Sequence, residues 1–505
     1  MITLQRQFML AALAAIIFSG SALAERLPRP VGLEPAIQFW QRIYTELSVS
    51  EGVIHDSGHA MTVVGRIDIE PPPDWQARRE TVRAALKRYR AGLNALADQA
   101  MRPADDFQAR LLARLPSATD APAARRIAER LRFQGGLRER FKEGLVRSGR
   151  WRGHIRRVLA EYGVPPALVA LPHVESSFNP RARSHAGAAG LWQFTAGTGR
   201  RFLRIDPVLD ERLDPWASTR AAAALLAHNH SEINSWPLAI TAYNHGLNGM
   251  KRAVREVGTR DYLTIQREYT GRYFGFASRN FYPALLAAAE VDENAHHYFG
   301  ALEQDPPLEP VRVVLPHYTP METLLEGVSV DEAVIQRLNP ALGPAVWDGR
   351  KFIPGGYALA LPEDAGVDWS EQVAALPGTR LYRDQRPDVA HRVVSGDTLS
   401  QIAMRYDVDL QALMAHNSIR DPRRLRAGQR LQLPMAGSMP EPVGGRHYEV
   451  RPGDTLGAIA MQHGVETRAL VRLNELDDPD RLRVGQRLVI GEGPRVAVVD
   501  TAIEP

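Results

Sequence analysis

One glutamate has a sequence setting that could do acid–base chemistry. Glu175-Ser176-Ser177-Phe178-Asn179-Pro180 closes a stretch that opens on Val164-Pro165-Pro166. Proline fits the first turn of a helix, and Leu168, Val169, Leu171 and Val174 supply its apolar positions. The pattern predicts a helix ended by Pro180, with Glu175 in the last turn. The negative end of a helix dipole disfavours a carboxylate there, and apolar neighbours disfavour it further. Both effects raise the pKa, which suits a general acid working near neutrality. Taken alone, a glutamate at a helix end is ordinarily a solvated surface residue.

The surroundings change that reading. Gly187-Ala-Ala-Gly190-Leu191-Trp192-Gln193-Phe194 begins twelve residues after Glu175, and Ala242-Tyr243-Asn244-His245-Gly246 follows on a helix expected from about Pro237. Phe281-Tyr282-Pro283 comes later still. Aromatic rings beside amide side chains suit a sugar cleft: rings cover the apolar faces of pyranoses, and amides bond hydroxyl and N-acetyl groups. In this order and with these motifs, residues 150–295 resemble the catalytic domain of the family 1 lytic transglycosylases, which share the goose-type lysozyme fold. By that resemblance Glu175 matches the single catalytic acid/base, and Ser176 would help position the substrate N-acetyl group. Gly190, Leu191, Trp192 and Gln193 match the motif lining the cleft. Tyr243 and Asn244 match the motif beside the carboxylate, and Tyr282 matches a late tyrosine that faces it. Two positions depart from the family pattern: Thr195-Ala196 stands where Met-Pro is usual, and His245 where Ala is usual.

The resemblance also implies how one carboxylate suffices, where ordinary glycosidases use a pair. Glu175 would protonate the oxygen between N-acetylmuramic acid and N-acetylglucosamine, with the substrate N-acetyl group stabilising the charge at C1. It would then take the proton of the muramic C6 hydroxyl as that oxygen closes on C1, giving a 1,6-anhydro end. Asp206, Asp210, Glu211 and Asp214 cluster in a loop-like stretch, but no motif pairs any of them with Glu175. Asp214-Pro215 reads better as a turn before a helix over Arg220–His230. His228, His230 and His245 match no metal spacing such as His-Glu-x-x-His, so neither metal nor cofactor is expected. Two alternatives stay open: a muramidase that adds water to the same bond, and a non-enzymatic wall-binding scaffold.

The elements around this block come in several kinds. The chain has 505 residues, enough for three or more domains, with a soluble composition, a formal net charge of +4 and no cysteine. So small a charge makes no case for nucleic acid. The lack of cysteine excludes disulfides, thiolate catalysis and attachment of lipid to a cysteine. Met1–Ala24 has one charge, Arg6, an apolar run from Phe8 to Phe18, and Ala22-Leu23-Ala24 as a small-x-small cleavage site. It reads as a secretory signal, too short for a retained span. An exported protein is expected, periplasmic or envelope-associated, without a lipid anchor. Residues 25–149 read as a helical, Arg- and Ala-rich region with an amphipathic patch at Phe39-Trp40 and Ile43-Tyr44 and a strand over Met61–Ile69. The basic run Arg125–Arg152 reads as a solvated helix face, and the region offers no chemistry.

Residues 389–434 and 447–490 are one unit written twice. Gly396 recurs as Gly453, Asp397 as Asp454, Asn417 as Asn474 and Gly428-Gln429 as Gly485-Gln486, all at an offset of 57. Each unit reads as strand, helix, helix, strand, with Leu399, Ile402, Ala403 and Tyr406 forming one apolar stripe. The pair resembles LysM domains, which bind N-acetylglucosamine-containing glycans. The resemblance places sugar contacts at Gly396, Asp397, Thr398 and Ile419, and at Gly453, Asp454, Thr455 and Leu476. Residues 296–365 echo the unit without its Gly-Asp-Thr turn and read as a degenerate copy. Residues 366–388 and 435–446 read as linkers, and 491–505 is an unassigned tail. The expected fold is therefore multidomain, a mainly α lysozyme-like catalytic domain followed by small α+β (βααβ) repeats. The expected partners are peptidoglycan glycan strands, with wall-synthesis or division proteins as possible further ones, for a monomeric enzyme.

Overall fold

The computed structural model describes residues 27–69, 74–388, 390–406, 408–433, 442–443, 446–463, 465–474, 476, 478 and 482–490. Residues 1–24, read from sequence as a secretory signal, most of 435–446, read as a linker, and the tail 491–505 lie outside them. Two compact units form, one from residues up to 203 with 215–308, the other from 204–214 with 309 onward.

The first unit begins with α1 (Glu34–Thr45), whose apolar side buries Ile37, Phe39, Ile43 and Tyr44. β1 (Glu51–Asp56) and β2 (His59–Asp68) form a hairpin, followed by α2 (Trp75–Asp98), α3 (Asp106–Leu112), α4 (Ala121–Arg130) and β3 (Leu131–Gly135). β3 pairs antiparallel with the free edge of β1, in the order β2-β1-β3. Ile54, Val64, Leu93, Leu96, Leu111 and Ile127 close the core between sheet and helices. Asp74, Asp105 and Asp120 each accept a backbone N–H three residues on, which sets the starts of α2, α3 and α4.

The helices that carry the site follow: α5 (Arg138–Ser148), α6 (Arg152–Glu161), α7 (Leu171–Ser176), α8 (Ala196–Gly199), α9 (Pro215–Ile233), α10 (Trp236–His245), α11 (Leu247–Val257), α12 (Tyr262–Glu268) and α13 (Phe276–Glu293). α13 is buried along most of its length, and α1, α7 and α10 all pack against it. The boundary expected at 149–150 thus falls inside one compact unit. The Arg125–Arg152 run is not one solvated helix face. Leu131 and Phe133 alternate as a strand inside it, Gly135-Gly136 ends that strand, and Arg152 is half-buried in an ion pair with Asp292.

In the second unit, Val311–Val314 pairs antiparallel with Ala358–Leu361, and helices Met321–Val328 and Glu332–Leu338 lie between them in sequence. Residues 366–388 correct the linker expectation. Trp369, Val373, Leu376 and Leu381 are buried in the same core as Val313, Leu324 and Leu359, and Trp369 Nε1 donates to Pro362 O at 2.8 Å. A short amphipathic helix, Trp369–Ala374, looks like a polar spacer in sequence because its apolar residues are few.

Each downstream repeat closes the same way. Ala390–Arg392 pairs with Arg430–Gln432, and Arg446–Glu449 with Arg487–Ile490. Asn417 Nδ2 donates to Leu413 O and Gln432 O, while its Oδ1 accepts from Gln432 N at 2.7 Å. Asn474 does the same with Leu470 O, Val489 O and Val489 N. Asn339 makes an equivalent set with Ile335 O, Ala360 O and Ala360 N, at 2.8–2.9 Å and fully buried. One amide thus ties the end of the second helix to the closing strand in all three places. Asn339→Ala should leave a strand N–H and carbonyl unpaired in the core and cost roughly 2–3 kcal/mol. Chemical denaturation of the variant against the parent checks this.

Candidate active site

The helix that carries Glu175 is shorter than its sequence suggests. Residues 166–170 form a 3-10 turn, and α7 proper is only six residues because Pro172 sits in its first turn. It ends before Pro180: Ser177 and Phe178 both adopt left-handed backbone, at φ 50° and 55°. Two consecutive non-glycine residues in that region cost of order 1–3 kcal/mol each and persist only where surroundings impose them. Here Phe178 is fully buried, and Arg147 of α5 donates to Ser177 O from Nε and a terminal nitrogen at 3.1 and 2.8 Å.

A buried charge network holds α7 from behind. Asp292 of α13 accepts from His173 Nε2 at 3.0 Å and from two nitrogens of Arg152 at 2.5 and 2.6 Å. Burial opposes the charge on Asp292, but the bonds from Arg152 and His173 outweigh it and hold the carboxyl well below its ordinary range. Burial lowers the His173 pKa, so the ring is neutral and Nε2 carries the donated proton. His173 also stacks on Phe141 at 4.4 Å and meets Phe178 edge-on at 4.6 Å. Gly144 lets α5 come this close, since a Cβ there would lie 2.9 Å from His173 Nδ1 and 3.2 Å from Ser177 O.

Glu175 keeps a partly exposed surface, as a group opening on a cleft must. Burial nevertheless pushes its carboxyl up to about 8. Among the described residues no group donates a hydrogen bond to it. Its charge in turn raises the hydroxyl pKa of Tyr243, adding to the larger effect of burial there, and acts on buried Tyr44 of α1 in the same direction. At neutral pH the geometry holds a protonated carboxyl beside two tyrosines.

The segment over 182–194 folds back on itself and brackets this helix. Ala189 N donates to Phe194 O and Gly190 N to Ala182 O. Ser176 Oγ donates to Leu191 O at 2.7 Å, and the Tyr243 hydroxyl donates to Trp192 O at 2.8 Å. Adjacent backbone carbonyls thus fix α7 and the end of α10. Gly190, Leu191 and Trp192 are buried, so they support the site and do not line it. Trp192 Nε1 donates to Thr219 at 2.9 Å. Gln193, at φ 48°, turns its amide back onto Ala182 O and Gly190 O. Asn244 is exposed and accepts from Ser278 Oγ at 3.0 Å. Gly246, at φ 89°, ends α10 directly after His245, whose ring packs against Phe274 at 5.1 Å.

Several expectations are corrected. Tyr282 does not face the glutamate: it is fully buried, its ring meets Tyr262 at 5.1 Å, and its hydroxyl donates to Pro28 O. Asp206, Asp210, Glu211 and Asp214 belong to the other compact unit. Asp206 accepts from Val208 N, Leu209 N and Arg204, and Asp214 is buried against Arg312. α9 starts at Pro215, five residues before Arg220. Thr195, at a departure from the family pattern, caps α8 by accepting from Thr198 N. In the repeats, Asp397 is turned inward, accepting from Val394 N and His391 Nε2 at 2.8 Å, and Asp454 accepts from Arg451 N at 2.7 Å. Gly396, Thr398, Gly453 and Thr455 are exposed. Ile419 and Leu476 are half-buried on their module cores.

Tyr44, Arg147, Arg152, His173 and Asp292 were not legible as site residues. The i, i+4 spacing of Trp40 and Tyr44 was the only local signal among them. Asp292→Ala should leave half-buried Arg152 without its counter-charge and buried His173 without its acceptor, and cost about 3 kcal/mol. Thermal and denaturant unfolding checks this against an exposed control such as Asp98→Ala.

Comparison with known proteins agrees in outline. A family model described as the transglycosylase SLT domain matches residues 154–266, and one described as the LysM domain matches 391–434 and 448–491. The chain is 30% identical over 340 residues to the membrane-bound lytic murein transglycosylase D of Escherichia coli strain K12, covering 65% of this chain and 73% of that protein. It is 35% identical over 100 residues to the endolysin of Bacillus phage PZA, covering 19% of this chain and 36% of the endolysin. Of the solved structures, the 70 kDa soluble lytic transglycosylase of Escherichia coli matches 47% of this chain and about a third (34%) of its own, at 14% identity and a TM-score of 0.26.

Proposed function

The chain belongs to the family of the membrane-bound lytic murein transglycosylase D, and from that premise we propose that it cleaves peptidoglycan with Glu175 as its single acid/base. The bond cut is the β-1,4 link from N-acetylmuramic acid to N-acetylglucosamine. The observation that carries this reading is a carboxyl raised by burial to about 8, with no hydrogen-bond donor among the described residues and two tyrosines near it. Such a group is protonated at neutral pH and can give its proton to the glycosidic oxygen. The N-acetyl group of the substrate stabilises the positive charge at C1 as the C1–O bond breaks. Glu175, now ionised, accepts the proton of the muramic C6 hydroxyl, and O6 bonds to C1. No water is consumed, and the acid is regenerated.

Tyr243 and Ser176 act from fixed positions, both anchored to carbonyls of the Leu191-Trp192 segment. Asn244 and the Gln193 region are the polar groups placed to meet N-acetyl and hydroxyl groups. Gly190, Leu191, Trp192 and Tyr282 support the cleft from within. The two LysM modules hold the enzyme on the glycan, with Thr398, Ile419, Thr455 and Leu476 on the contact surface, and the 296–365 segment is a third, degenerate copy tied by Asn339. The protein works in the cell envelope, exported to the periplasm by its N-terminal segment. No helix among the described residues is long and apolar enough to cross a membrane.

Glu175→Gln should abolish turnover of purified peptidoglycan, while the parent releases muropeptides one water lighter than hydrolytic products, read by mass spectrometry. Full-mass reducing ends would mean that water attacks, and retained turnover in the variant would remove Glu175 from its role. Because the acid must be protonated, kcat/KM should fall as pH rises through about 8. Truncation after Asp388, which spares the packed 369–381 segment, should weaken retention on insoluble peptidoglycan while sparing activity on soluble fragments. A pull-down assay of the truncated and full chains checks it.

A further inference from the structure

The chemistry at Glu175 leaves a groove on the first unit unexplained. It has a volume of about 1160 Å3 and lies between the β1–β2 turn and α4 on one side and α12 with the start of α13 on the other. Arg126, Arg130, Arg267 and Arg279 line it, against one carboxylate, Asp56. Arg130 takes both oxygens of Asp56, at 2.8 and 2.7 Å. The other three have no close counter-charge. Arg126 is exposed and makes no ion pair among the described residues. Arg267 reaches only its exposed neighbour Glu268, at 3.8 Å. Arg279 is half-buried and donates to the backbone carbonyls of Gln266 and Tyr269 in place of any carboxylate.

Scattered surface arginines are ordinarily just solvated. These differ in sharing a concave lining, and in that its wall packs against residues of α1 that reach toward Glu175. Asn280, in the groove wall, accepts from Trp40 Nε1 at 3.4 Å. Phe276, also in the wall, lies 6.3 Å from Trp40, and Trp40 lies 5.8 Å from Tyr44. Tyr44 in turn feels the charge of Glu175. These rings pack one behind another between the arginine-lined groove and the carboxyl, with Tyr44 buried, all within one compact unit.

We propose that this groove binds the carboxylate-bearing peptide stem of the strand being cut. The inference rests on the reading of Glu175 given above. The stem hangs from the muramic acid whose C1 reacts, so it must leave the cleft beside the bond that breaks. It carries several carboxylates on a flexible chain, and arginine forks match carboxylates in charge and geometry. A neutral glycan needs no such lining, and a nucleic acid finds no matching channel at the reacting carboxyl.

The test compares two soluble glycan tetrasaccharides, one bearing tetrapeptide stems and one stripped of them by an amidase. Affinities are measured with the full chain carrying Glu175→Gln, so that neither probe is consumed. Stem-bearing strands should bind about tenfold tighter, as expected for two or three exposed carboxylate pairs. Adding Arg126→Gln and Arg267→Gln, both exposed and compatible with folding, should bring that ratio close to one. Raised salt should compress the ratio in the same direction. Equal affinity for the two strands at the outset, an unchanged ratio in the triple variant, or a parallel loss for both strands would overturn the proposal. So would binding of phosphatidylglycerol vesicles through these arginines without a preference for stems, which would assign the groove to a lipid surface. The peptidoglycan digest by the unsubstituted chain decides the Glu175 reading separately, because the affinity ratio does not depend on turnover.

Discussion

A six-residue helix is too short to hold its own shape in water, so the position of Glu175 depends on what grips α7 from outside. The grip is the ionised Asp292, buried in α13 and bonded at once to Arg152 of α6 and His173 of α7. Arg147 adds a second hold by taking up Ser177 O where the backbone turns left-handed. The arrangement separates two electrostatic duties a few residues apart. His173 faces the Asp292–Arg152 charge pair on the inner side of the helix. Glu175 keeps part of its surface exposed, the described residues offer it no donor, and burial favours its protonated form. A flexible α7 would let the carboxyl reach water and lose the raised pKa on which its acid role rests.

The cleft motifs act more through backbone than through side chains. Leu191 and Trp192 present consecutive carbonyls, one to Ser176 and one to Tyr243, so a single turn of chain orients residues from two helices. Their own side chains are buried and fix that turn, with Trp192 tied to Thr219 of α9. Substituting either side chain would act at one remove, by letting the bracket shift. α1 completes the enclosure by bringing Trp40 and Tyr44 to the same unit. The region ahead of residue 150 therefore packs against the site, and two of its arginines, Arg126 and Arg130, line the groove on the same unit.

The downstream modules solve a different problem. Each has a small core, and a single asparagine joins helix to closing strand by three hydrogen bonds. The same bond set at Asn339 recurs in a segment that lacks the Gly-Asp-Thr turn, so the tie between helix and strand does not require that turn. The inward Asp397 shows why the turn is kept where it occurs: it organises the loop that leaves Thr398 at the surface. Binding modules that keep their folds independent of the catalytic chemistry can add retention on a polymer without altering the cleaved bond.

The sequence alone determined the features written in local pattern. The offset of 57 defined the repeats, helical spacing placed their stripes, and the order of motifs singled out Glu175 at a helix end. These are short-range regularities, and short-range periodicity reports them directly. Tertiary structure decided what depends on residues distant in the chain. Asp292 lies 119 positions from His173, and nothing local marks it as the anchor of α7. Tyr282 reads as a cleft tyrosine until packing buries it against Tyr262 and Pro28. Residues 366–388 read as a linker until Trp369 and Leu381 are seen inside a core. In each case the deciding quantity is which surfaces meet, and that is set by the packing of whole elements rather than by the composition of any one of them.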